Sequence, residues 1–386
     1  MYTVSDIVSS KIESYCRTWR MELEDANSIL TGDKIVSASS TAQSTSISDD
    51  IELGAVCSQS WNININDVDT KFLGKEYDLS LYLVDYSHGE TTYSTLEAYT
   101  YAELSKLTVE QVSKLGEVLD GERIPLGRFT CVKSKKSGGN TEVTFADRLY
   151  FSDKVYKPNV TLPAWSKAIE DDICKQLGLQ NGNDYTKPAK LRVKGGARLY
   201  GKGHIRLKTA NFDFKINAVP KDTTMRQMLS YIASAQGEFG YVDRFGRYVR
   251  KWYGRPVKLL DNNTIDLPTL SERQNIIVGI ICNVSDSQTL RLGNTTGSTG
   301  RVLEFENPYM TSSLLQSLWH RIQGFSWYTT ELFHRLGDPR FDIGDVVTYD
   351  SGTETFDIPI TNLGFNFDGG LSADISAVGL SVEEQL

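Results

Sequence analysis

Hydrophobic positions follow two periods along the chain, and the switches between them predict its elements. Val4, Ile7, Val8 and Ile12 recur at near-helical steps behind Thr3 or Ser5, either of which suits a cap, so a helix is expected within residues 3–14. From Tyr15 to Glu24 the pattern turns toward alternation. Val36 to Ser48 is rich in Ser and Thr and reads as a strand followed by an exposed loop. The run from Ile51 to Val56 leads into Trp61, Ile63 and Ile65, the period of two expected of a strand with one buried face. Tyr77 to Asp85 reads as another strand. Thr108-Val109-Glu110-Gln111 has the form of a reciprocal helix cap, and Val109, Val112, Leu115 and Leu119 behind it share one face, which predicts a short helix laid on a sheet. Phe129 to Val132 and Val143 to Phe145 flank Ser137-Gly138-Gly139-Asn140, a hairpin with a Gly-rich turn.

The middle changes character. Leu162, Trp165, Ile169, Ile173 and Leu177 fall on one helical face, with Thr161 suited to the cap, Pro163 to the first turn and Gly178 to the C-terminal stop. A second helix is expected from about Thr223 to Ala235, with Met225, Met228, Leu229 and Ile232 inward. Gly237 to Val242 then reads as a strand, and Asp243-Arg244-Phe245-Gly246-Arg247 as the tight turn to the next one. In the last third Met310, Leu314, Leu315, Leu318, Trp319 and Ile322 recur at steps of three and four, a strong helical signal. Strands are expected at Asp345 to Tyr349 and Phe356 to Ile360. A closing hairpin follows, in which Leu363, Phe365 and Phe367 alternate out, Asp368-Gly369-Gly370 turns, and Leu371, Ala373, Ile375 and Ala377 alternate back.

These elements make the fold class mainly β with an α+β insert. The expected division is 1–155, a β-rich N-terminal domain; 156–275, an α+β middle; and 276–386, a β-rich C-terminal domain with one helix. Ile124-Pro125-Leu126-Gly127 with its hairpin faintly echoes Phe341-Asp342-Ile343-Gly344 with its own, so the outer domains are expected to be similar. A length of 386 residues suits several domains, and 19 Tyr, 15 Phe and 6 Trp favour strands. The net charge of −8 gives no chain-wide footprint for nucleic acid and suits a surface past which DNA slides without sticking. The five cysteines, Cys16, Cys57, Cys131, Cys174 and Cys282, are scattered, as expected of reduced thiols made in a cytoplasm. No apolar run is long enough for a transmembrane helix, and the start lacks the pattern of a signal peptide.

Catalytic chemistry finds little support. The histidines are His88, His204, His320 and His334, without zinc spacing; His320 falls on the polar side of its helix and reads as an ordinary exposed residue. No Gly-x-Ser-x-Gly elbow is present, and Cys57 and Cys131 lie in strand patterns that predict buried thiols. Glu304 and Glu306 share a strand face and invite a glycosidase reading, but the following Asn307-Pro308 reads as an exposed turn after an ordinary strand. Gly293 to Gly300 is Gly/Ser/Thr-rich without a phosphate-loop ending and reads as a loop. Lys187, Lys190, Arg192, Lys194, Arg198, Lys202, Arg206, Lys208 and Lys215 are opposed only by Asp213, with Tyr200 and Phe212 among them. A groove for single-stranded nucleic acid is conceivable there. An exposed hairpin facing water or an acidic neighbour is the preferred reading. No cofactor or metal site is expected.

Three ordered groups carry a resemblance: Asn307-Pro308-Tyr309-Met310 and its helix; Gly337-Asp338-Pro339 with Ile343-Gly344-Asp345-Val346-Val347; and Asn366-Phe367-Asp368-Gly369-Gly370-Leu371-Ser372. In this order they resemble the C-terminal region of bacteriophage tail hub proteins, a family that includes the N-terminal part of tail-associated lysins and the trimeric hubs of contractile tails. Ile124 to Phe129 leading to Phe145-Ala146-Asp147-Arg148-Leu149 is similar to the same family, as is Thr223 to Leu229 leading to Asp243-Arg244-Phe245-Gly246.

The resemblance implies a non-enzymatic structural protein with two β-barrel-like tube domains flanking the middle domain. It implies a homotrimer at the tail tip of the virion, a pseudo-sixfold ring through which DNA passes. The implied partners are the distal tail or tube protein, the tape-measure protein and a receptor-binding or tip protein, with no membrane insertion by this chain. Gly337, Asp338, Pro339, Gly344, Asp345, Asp368, Gly369 and Gly370 are expected to do structural work: Gly344-Asp345 a turn in which Asp bonds the backbone, Pro339 a stop, and Gly369-Gly370 a two-residue hairpin turn. Lysins of the family carry a C-terminal enzyme, whereas this sequence stops at Leu386, soon after its last hairpin. The competing classes are a tail-tip cell-wall hydrolase and a carbohydrate-binding adhesion module.

Overall fold

The computed structural model describes residues 1–379 apart from 14–17, 27, 31–33, 42, 47–49, 68, 85–121, 184, 186–188, 191–207, 210–212, 261–264, 267 and 297–299. The chain is mainly β, with four helices among the described residues. The helix expected at Thr108 to Leu119 and most of the basic segment lie outside the described residues.

One large sheet dominates. Its strands run in the order Thr269–Leu270, Thr330–His334, Leu371–Ala377, Asn362–Phe367, Ile35–Ser40, Ser60–Ile65, Asn140–Ala146, Arg123–Ser137, Glu76–Val84, Thr18–Glu24 and Ile29–Leu30. Both ends of the chain contribute, and they join where Asn366 pairs with Ser39 and Phe367 with Ala38. The alternation at Trp61, Ile63 and Ile65 puts all three side chains in the core, where Trp61 stacks on Phe365 at 6.5 Å. Each fully buried side chain of this size contributes about 1.5–3 kcal/mol. The hairpin expected at Gly138-Gly139 forms between Arg123–Ser137 and Asn140–Ala146.

The four described helices follow. Helix α1 spans Asp6–Ile12, and Ser5 accepts the Val8 N–H at 3.4 Å as its cap. Helix α2 spans Ser166–Leu177 and starts later than its apolar spacing predicts. Ala164–Trp165 instead pairs antiparallel with Lys215–Ile216, so this stretch is extended and Trp165 is half-exposed. Gly178 ends α2 at φ 72°, as expected. Helix α3 spans Met225–Ala235, capped reciprocally by Thr224 and Gln227 at 3.1 and 2.9 Å. Helix α4 spans Ser312–Ile322 and is capped by Thr311, with Met310 buried just before it. Helices α2 and α3 enclose a second apolar cluster with Leu149, Tyr156, Ile216 and Tyr248.

Other expectations change. In the expected exposed loop after Ser40, the described residues Gln43, Thr45 and Ser46 are buried, because Gln43–Ser44 pairs with the Asn362–Phe367 strand and the Thr45 N–H donates to the Thr361 carbonyl. Ile51 to Val56 forms no regular strand; Val56 makes an isolated bridge to Gly240.

Candidate functional site

The polar groups concentrate at seams between distant chain segments. The first seam is organised by Arg244, whose side chain is 8% exposed. The Asp243-to-Arg247 turn, with Gly246 at φ 72°, delivers it between the two echoing segments. Its Nε donates to Asp342 Oδ1 at 2.7 Å. Nη1 donates to the Pro125 carbonyl at 3.2 Å and the Pro339 carbonyl at 2.5 Å, and Nη2 to the Phe341 carbonyl at 2.5 Å. The Tyr2 ring lies 5.4 Å from the guanidinium. A planar fork of donors meets three carbonyls and a carboxylate, which a point charge on a flexible lysine stem does not reproduce. Burial raises the Asp342 carboxyl, but the Arg244 and Lys251 charges outweigh it and hold the pKa below its ordinary value.

The second seam is built on Asp338, which is 1% exposed. Arg340 reaches its two oxygens at 2.9 and 2.7 Å, and Lys258 donates to it at 2.8 Å. Arg340 also donates to Ser9 of α1 at 2.6 Å, which fastens the first helix to the last third of the chain. Burial alone would raise the Asp338 pKa; the bonds and charges of Arg340 and Lys258 reverse that and hold it well below the carboxylate range. A third seam joins α2, the strand Arg247–Lys251 and α4: Arg250 binds Glu170 at 2.6 Å and Glu238 at 2.9 Å, and Arg321 binds Glu238 at 2.8 Å.

The glycine motifs fit around these seams. Gly337 lies at φ 51°, and a Cβ there would sit 3.0 Å from the Leu371 backbone, so the Gly337-Asp338-Pro339 loop abuts the start of the last strand. Gly344 lies at φ 74°, and its Cβ would meet the Phe239 ring at 2.3 Å. Asp345 accepts the Asp342 N–H at 3.0 Å, the backbone bond expected of that turn. Asp368, Gly369 and Gly370 stand apart at an exposed hairpin tip, with Gly369 at φ 92°.

The catalytic candidates do not converge. His320 is exposed, while His334 is buried beside Phe341; His88 and His204 lie outside the described residues. Glu304 and Glu306 are both exposed on Arg301–Glu306, and Glu304 accepts a hydrogen bond from Asn283 at 2.8 Å. The expected exposed turn at Asn307 is instead fully buried: its amide donates to the Tyr231 carbonyl at 2.7 Å and to Ser234 at 3.0 Å, tying the strand end to α3. Burial pushes the Cys57 and Cys131 thiols up to about 11 and Cys282 up to about 12, which suppresses the reactive thiolate at neutral pH. No group of three potential metal ligands occurs among the described residues.

In the basic segment, Ala189–Lys190 pairs with Lys208–Thr209, and Lys215 lies over the Trp165 ring at 5.3 Å. Asp213 accepts bonds from the Ser166 hydroxyl and the Lys167 N–H at the start of α2.

The sequence matches no protein-family model and no curated protein. Solved structures do match in shape. The 43 kDa tail protein of prophage MuSo2 from Shewanella oneidensis is 12% identical, covers 93% of this chain and 97% of its own, and gives a TM-score of 0.50. The tail protein from Neisseria meningitidis MC58 is 11% identical, covers 95% and 98%, and gives 0.52. Prophage tail protein gp18 from Listeria monocytogenes EGD-e is 9% identical, covers 94% and 96%, and gives 0.50. The chain has the fold of these prophage tail proteins.

Proposed function

We propose that the chain is a non-enzymatic hub at the distal end of a phage or phage-like tail. Three copies form a pseudo-sixfold ring that joins the tail tube and tape-measure protein to the receptor-binding tip and lets DNA pass. Two similar tube domains at 1–155 and 276–386, held by the middle domain at 156–275, supply the six units. The observation that carries this reading is end-to-end similarity to prophage tail proteins, over at least 93% of the chain. The polar groups support it: Arg244, Asp338, Arg340 and Arg250 are consumed in fastening segments together, which is scaffold work.

Disrupting the coding gene in the producing lysogen tests the reading. The expected lysate contains filled heads and no joined tails, and supplying the intact gene restores tails. Normal tails lacking the chain would refute it.

A further inference from the structure

A second sheet has Asn275–Ser285 at its centre, flanked by Gln288–Gly293 on one side and Arg301–Glu306 on the other. Both outer edges pair with no described strand. The main sheet ends in two-residue strands, Thr269–Leu270 and Ile29–Leu30, which are too short to template pairing. The edges of the second sheet are six residues each and contain no proline.

Their side chains are complementary. Ile281 lies opposite Arg291 on one flank and Glu304 on the other, so both charges project to the same open face. Two strand spacings, about 10 Å, keep them from pairing within the chain. Arg291, Glu304 and Glu306 form no ion pair among the described residues. On the packed face Leu290, Leu292 and Phe305 are only partly buried.

We propose that these two edges join in the assembly: the Arg301–Glu306 edge of one copy pairs with the Gln288–Gly293 edge of a second copy. The proposal rests on the ring reading above and names its contact. Gln288–Gly293 runs antiparallel to the central strand and Arg301–Glu306 parallel to it, so a sideways copy meets its neighbour as an antiparallel pair. With Glu304 opposite Arg291, Glu306 faces Thr289, Leu303 faces Leu292 and Phe305 faces Leu290. Opposite charges then meet on the open face and apolar pairs on the packed one. A one-residue slip sends each set to the wrong face. The contact uses different surfaces on each copy, so it repeats head to tail, and the ring reading requires that the rotation per copy close it.

The test is a full-length Arg291→Cys/Glu304→Cys variant, oxidised mildly and run without reductant, with Asp286→Cys/Glu304→Cys as control. The expected result is an interchain cross-link in the first variant alone, running to a closed oligomer. Arg291→Glu and Glu304→Arg should each weaken assembly at least about tenfold, and their combination should restore it to within about threefold, with circular dichroism unchanged throughout. An oligomer indifferent to both reversals and without the cross-link would overturn this interface and leave the ring reading standing. A monomer at every concentration, never cross-linked, would overturn both.

Discussion

Arg244→Ala removes the fork that holds the echoing segments together. The guanidinium makes four bonds: one to the Asp342 carboxylate and three to the carbonyls of Pro125, Pro339 and Phe341. Hydrogen bonds from a charged donor are worth about 1.5–3 kcal/mol each when isolated, but neighbours sharing one side chain do not add. Breaking a buried pair and leaving its partner uncompensated costs about 3–5 kcal/mol. Lys251 still faces Asp342, which favours the lower half of that range. With unfolding entropy near 2.1 cal/mol/K per residue, or about 0.8 kcal/mol/K for this chain, Tm should fall by about 4–5 °C in calorimetry. Arg244→Lys should recover less than half of the loss, since a lysine cannot reach all four acceptors. The exposed Arg255→Ala serves as the control and should leave Tm within about 1 °C. An Arg244→Ala protein that melts with the control would refute the assignment of this residue as the tie between segments.

Asp338 has a depressed folded-state pKa, so its contribution is present above the unfolded value of about 4 and is lost as pH falls below it. Asp338→Asn should therefore lower stability at pH 7 and flatten the fall in Tm below pH 4; an unchanged acid limb would contradict this. Gly344→Ala adds a Cβ at φ 74° against Phe239 and should cost more than about 1 kcal/mol in urea denaturation, whereas a neutral result would show that the turn relaxes freely. Ile63→Ala opens the core of the main sheet and should cost about 2–5 kcal/mol by the same measurement. The purified chain should release no fragments from bacterial cell walls; release abolished by Glu304→Ala or Glu306→Ala would replace the scaffold reading with a hydrolase.

Where local periodicity decides the outcome, the elements were legible. The hairpins at Gly138-Gly139 and Gly369-Gly370 and the helix ending at Ile322 form where spacing and turn residues place them. Spacing misled at Leu162 and Trp165, which mimic a helical face; a pairing with Lys215–Ile216, about 50 residues away, decides that stretch. Composition misled at Thr45, which reads as exposed yet bonds the Tyr253 hydroxyl in the interior at 2.6 Å. The reciprocal cap at Thr224 and Gln227 rests on a Thr-x-x-Gln spacing, which the apolar periodicity that placed this helix does not reveal. The seams were not legible: Arg244 stood in a turn motif, and nothing local reveals that Pro125, Pro339 and Phe341 converge on it. Arg340 and Lys258 gave no signal either, because their partner Asp338 lies in a loop that reads as a turn.

The central claim is a threefold ring built from this chain, and counting copies in assembled tails tests it most directly. Electron cryomicroscopy of purified tails, with no symmetry imposed, should show three copies around the axis, about 130 kDa of this 43.2 kDa chain, enclosing a lumen free of Lys and Arg from residues 187–215. One or six copies in the ring, or a lumen lined by that basic segment, would contradict it.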